Sequence, residues 1–80
     1  MYILIHVISQ TAANMAKKLL SREGIYVSVR KTPSSVSKTG CGFCLKIEPS
    51  FLLRAVGVLK ENHIDYLGIY ETDGESVRRV

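Results

Sequence analysis

Near the start of the chain, Tyr2-Ile3-Leu4-Ile5-His6-Val7-Ile8 runs without glycine or proline and is rich in β-forming residues. A stretch like this, apolar on both of its alternating faces, predicts a strand inside a sheet rather than at its edge. Alternation sends Ile3, Ile5 and Val7 to one face and Leu4, His6 and Ile8 to the other. Whatever follows must cover that strand. At 80 residues there is room for a single core, and a hydrophobic fraction of 46% is enough to build one.

The next segments change period. Ser9 or Thr11 caps a helix expected to run to about Glu23, with Ala12, Ala13, Met15, Ala16, Leu19 and Leu20 forming its apolar stripe. Gly24 stops it. Ile25 to Arg30 then alternates as a second strand, with Ile25, Val27 and Val29 inward. A loop rich in Ser, Thr and Pro leads to a third strand, with Phe43, Leu45 and Ile47 inward. Pro49 suits the first turn of a second helix, whose buried stripe is Phe51, Leu52, Ala55, Val56 and Leu59. His63 lies near the end of that helix and reads as a solvated side chain. Ile64 to Glu71 closes the pattern as a fourth strand. Residues 72–80 are polar, end near Arg78-Arg79, and read as a flexible tail beyond a domain of residues 1–71.

The order βαββαβ predicts an α+β, ferredoxin-like fold: a four-stranded antiparallel sheet with two helices on one face and strands one and three central. The other face is expected to be uncovered. It would carry Leu4, His6, Tyr26, Ser28, Arg30, Cys44 and Lys46, a mixture apolar enough to suggest self-association or a partner.

Both cysteines fall in Lys38-Thr39-Gly40-Cys41-Gly42-Phe43-Cys44-Leu45-Lys46. Two cysteines do not make a disulfide scaffold, and with no leader or membrane span in the N-terminal run the chain reads as cytoplasmic. A thioredoxin-type pair needs a helix N-terminus after its first cysteine, whereas strand residues follow here. A zinc site wants four ligands, and only His6 and His63 stand by to assist, from unrelated elements. No metal or cofactor is expected. If residues 41–44 were extended, their end Cα atoms would stand about 10 Å apart, beyond the roughly 7 Å that a disulfide spans. Only a turn at Gly42 would bring them together.

Cys44 reads as a small, half-buried sheet residue. Cys41, between Gly40 and Gly42 at the end of a basic loop, is the candidate reactive thiol. Arg30, Lys38 and Lys46 are candidates for favouring its thiolate or docking an acidic partner, although Lys31 and the rest also read as ordinary solubilising charges. The net charge of +4 does not separate a protein partner from a nucleic acid.

The Cys41-Gly42 pair after a Pro/Ser-containing loop, the alternating strand and Glu48-Pro49, and the ending Tyr66-Leu67-Gly68-Ile69-Tyr70-Glu71 together resemble the selenium/sulfur (Se/S) carrier protein-like family. The likeness covers about Met1 to Glu71. It implies a persulfide or selenide borne on Cys41 and passed from a desulfurase-type donor protein to an acceptor protein. Cys44 departs from the family pattern, where a small apolar residue is usual, and is retained as a second candidate thiol. No catalytic set of an independent enzyme is legible. The competing readings are a regulatory or protein-interaction module using the open sheet face, with incidental cysteines and a homodimer among its forms, and an RNA-binding module. The last lacks outward aromatics on the third strand, where Cys44 and Lys46 stand instead.

Overall fold

The computed structural model describes residues 1–31, 42–74 and 76–79. They form β1 (Tyr2–Val7), α1 (Gln10–Arg22), β2 (Ser28–Lys31), β3 (Phe43–Ile47), a 3₁₀ turn (Pro49–Phe51) leading into α2 (Leu52–Glu61), β4 (Gly68–Thr72) and β5 (Val77–Arg79). The fold is α+β. Two helices accompany a five-stranded, wholly antiparallel open sheet in the order β2-β3-β1-β4-β5. The fifth strand takes it outside the four-stranded ferredoxin-like arrangement that the order of elements predicts.

The apolar run at the N-terminus becomes the middle strand. Ile3, Ile5 and Val7 join Ala13, Ala16 and Leu20 of α1, Ala55, Val58 and Leu59 of α2, and Leu45 and Ile47 of β3 in one core. Both helices therefore cover the same face. Ser9 is the N-cap of α1, its Oγ accepting from Ala12 N at 3.1 Å.

The two helices end alike. Gly24 N donates to Ser21 O and Ile25 N to Leu20 O; His63 N donates to Lys60 O and Ile64 N to Leu59 O. This paired pattern satisfies the last carbonyls and drops an isoleucine, Ile25 or Ile64, into the core behind each helix. The pattern requires a left-handed residue, which Gly24 supplies at φ +77 and His63 at φ +56.

Three boundaries differ from the sequence reading. β2 begins at Ser28, not Ile25: Ile25 and Val27 are buried, so their alternation records burial without ladder pairing. β4 begins at Gly68, not Ile64. The segment read as a tail supplies β5. Its hairpin is held by Gly74 at φ +100, by Ser76 N donating to Asp73 Oδ1 at 2.9 Å, and by an Arg78–Glu71 ion pair at 2.7 Å across the strands.

The face away from the helices also differs. Leu4 is 6% exposed, His6 7% and Cys44 0%, so the centre of the surface expected to lie open is closed off. Among the described contacts on this face, Lys46 Nζ sits 4.1 Å from the centroid of the Tyr2 ring, and the Tyr70 ring lies 3.0–3.3 Å from where a Cβ on Gly68 would stand. What remains exposed is the rim, including Tyr26 at 82%.

Leu4→Lys is accordingly expected to lower folding stability by several kcal/mol, because it buries a charge. Leu53→Lys, at a position 88% exposed on α2, should stay within about 0.5 kcal/mol of wild type. Urea unfolding followed by circular dichroism compares the two. His63→Gly should raise stability by about 0.5–1 kcal/mol in the same assay, since it relieves a left-handed residue with a side chain.

Candidate functional site

β3 carries the only described cysteine, and it hydrogen-bonds between β1 and β2. Its register sets Cys44 opposite His6 on one side and Arg30 on the other, and Lys46 opposite Leu4 and Ser28. Registered neighbours stand about 4.5–5.5 Å apart. The Cys44 side chain is thus flanked by an imidazole-bearing and a guanidinium-bearing residue, with no solvent exposure. The expectation of a small sheet residue holds, and its burial is complete rather than partial.

Just before β3 the chain bends at Gly42, which takes φ +91. A side chain is barred there twice over. The conformation favours glycine, and a Cβ would stand 2.7 Å from Val7 O and 2.8 Å from His6 Nε2. What Gly42 approaches is the end of β1, the main chain of Val7 and the ring of His6. The chain is therefore not extended at Gly42. Cys41, Gly40 and Lys38 lie outside the described residues.

The cations divide. Lys46 is engaged with the Tyr2 ring, toward the opposite end of β1 from His6. It borders a cleft of about 150 Å³ lined by Tyr2, Tyr26, Ser28, Lys46, Ile47 and Glu48. That volume is small beside the roughly 300–1,000 Å³ of ordinary ligand pockets. Arg30 is exposed and stands across β3 from His6, with Cys44 between them. Among the described residues no cluster of His, Cys, Asp and Glu could hold a metal ion, and no helix is long and apolar enough to cross a membrane. His63 is exposed at the end of α2 and remote in sequence position from this register.

Alternation puts His6 on the face away from the helices, and the β1–β3 register and the bend at Gly42 set its ring against the main chain of Gly42. In the sequence His6 stands out as an ionisable side chain near the end of an otherwise apolar strand.

Fold and site together define a small α+β domain with a cysteine-bearing stretch entering an interior strand of an open sheet. A family model described as "Putative Se/S carrier protein-like" matches residues 2–71. The chain belongs to the Se/S carrier protein-like family. No curated protein and no solved structure shows a significant match to it. The match ends one residue before the last of β4, so β5 lies beyond it.

Gly42→Ala is expected to destabilise the protein by about 1–3 kcal/mol, through the positive φ and the clash with main-chain Val7 O. Gly24→Ala, also at positive φ but with nothing within 4 Å of the added methyl, should cost less, about 1 kcal/mol. Paired thermal and urea melts of both variants test the difference.

Proposed function

We propose that this protein carries sulfur or selenium on Cys41, taking it from a desulfurase-type donor protein and passing it to an acceptor protein. The observation that carries the reading is the complete burial of Cys44 in a member of the Se/S carrier protein-like family. A carrier thiol has to reach a second protein, so of the two cysteines the role falls to Cys41. Gly42 supports it, because a residue without a side chain next to the nucleophile eases close approach of a donor.

The chemistry asks little of the carrier. The Cys41 thiolate attacks the outer sulfur of a donor cysteine persulfide and forms a new S–S bond. The donor S–S bond breaks, and the donor cysteine leaves as a thiolate that takes up a proton. Cys41 then holds –S–SH, with no net oxidation or reduction. Delivery repeats the exchange with the acceptor. No metal and no resident cofactor is needed, which fits a carrier better than an independent enzyme. Nucleic acid and membrane have no part in this reading. If a second copy of the chain docks on the sheet face, it meets the rim, Tyr2, Tyr26 and Arg30, because Leu4 and Cys44 are buried.

Iodoacetamide at neutral pH should modify Cys41 of the folded protein well before Cys44, with an apparent pKa for Cys41 below that of a free cysteine. Peptide mass mapping against time and pH reads both. In a loading assay with a cysteine desulfurase and free cysteine, Cys41→Ser should abolish the 32 Da gain on the carrier, about the mass of one sulfur atom, and Cys44→Ala should keep most of it. A Cys41→Ser protein that still loads fully at Cys44 would overturn the assignment.

A further inference from the structure

The sheet face turned away from the helices carries charge of one sign. By register, Arg30 of β2, Lys46 of β3 and Arg79 of β5 all stand on the side of Leu4, each on a different strand. Glu71, the acidic residue of the described strands, is opposite Ile3 on the helix side and pairs with Arg78. Glu48, past the end of β3, borders the face at the cleft it shares with Lys46. Among the described strand residues the face therefore holds three cations and no carboxylate.

Flat rings are set among those cations. Lys46 Nζ lies 4.1 Å from the centroid of the Tyr2 ring and the Arg79 guanidinium 6.0 Å from that of Tyr70, so each ring has a cation at its face. Tyr26 stands 82% exposed at the cleft where Tyr2, Ser28 and Lys46 meet. A ring this open adds little to the core and is available to a partner. β2 and β5 are the two edges of the sheet, so the strands of Arg30 and Arg79 lie about 19 Å apart, at about 4.8 Å per strand.

We propose that this face is a docking surface for single-stranded RNA, with phosphates on Arg30, Lys46 and Arg79 and an unpaired base stacked on Tyr26 beside the Tyr2 ring. Cations spread from one edge of the sheet to the other match a polyanion rather than a single ion. An exposed ring stacks on any unpaired base, whereas a duplex hides its bases from it. The hydroxyls of Ser28, Tyr2 and Tyr26 around the cleft offer partners to the ribose 2′-OH, which DNA lacks. A second copy fits badly, since a twofold contact sets these cations against themselves with no strand carboxylate to pair them. An acidic peptide engages the cations but has no use for the rings. The proposal goes beyond the carrier reading and uses neither cysteine.

Fluorescence anisotropy of a labelled oligouridine of about ten nucleotides, titrated with the whole protein, reads affinity against salt. Phosphate contacts from all the cations of the face predict a slope of log affinity against log salt near about −2, a loss of about twentyfold between about 50 and about 200 mM. Arg30→Gln and Arg79→Gln should each make that slope shallower by about 0.7. Tyr26→Ala should weaken binding at least about fivefold and leave the slope unchanged, because it removes a stack and no charge. Arg30, Arg79 and Tyr26 are exposed, so the variants are expected to fold, and circular dichroism checks that they do.

A wild type that does not bind oligouridine at the lower salt overturns the proposal. So does binding that none of the variants changes, since the strand then lies elsewhere on the molecule. Oligothymidine of the same length, bound as tightly as oligouridine, overturns the assignment to RNA. Polyglutamate that displaces the labelled strand as well as unlabelled oligouridine does, at equal charge, assigns the face to an acidic protein instead.

Discussion

The double burial of β1 is the constraint on which the rest of the structure depends. Ile3, Leu4, Ile5, His6 and Val7 are all buried, so both faces of one strand have to be kept from water in a chain of 80 residues. One face is solved in the ordinary way, by two amphipathic helices whose apolar sides meet Ile3, Ile5 and Val7. The other face has no helix among the described residues to cover it. There, long side chains of neighbouring strands lean across the sheet: Lys46 toward Tyr2, and Tyr70 over Gly68. The stem of a lysine and the ring of a tyrosine shield apolar surface while keeping their polar ends accessible.

That solution decides where chemistry can occur. A thiol on β3 within the closed part of the face, as Cys44 is, packs as a small hydrophobe. The bend at Gly42 marks the limit of this packed region, since the chain there touches Val7 O and the His6 ring at the end of β1. The two cysteines are only three positions apart in sequence, yet the bend lies between them.

The hairpin of β4 and β5 adds to the sheet on the side away from β3. It rests on local devices: a left-handed glycine at position 74, the Asp73 carboxylate accepting from Ser76 N, and Thr72 Oγ1 accepting from Gly74 N at 3.1 Å. Its Arg78–Glu71 pair is exposed on the arginine side, and such a pair contributes at most about 1 kcal/mol. Arg79 lies 6.0 Å from the Tyr70 ring centroid, which ties the outermost strand to the ring that covers Gly68.

The sequence by itself determined what depends on neighbours a few residues apart. The helical stripes, apart from Met15, which is 52% exposed, the Ser9 cap, the stop at Gly24, the start at Pro49 and the inward faces of β1 and β3 follow from local periodicity and backbone preference. Residues 77–79, Val-Arg-Arg, carry no strand pattern, and β5 exists because a turn brings them against Glu71 and Thr72. Ile25 to Val27 carry a strand pattern and make no ladder, because burial alone satisfies their alternation. Most of all, only the tertiary structure decided that His6 meets Gly42. Alternation tells which face a side chain takes, but register between strands some 35 residues apart is set by long-range pairing that no local pattern encodes.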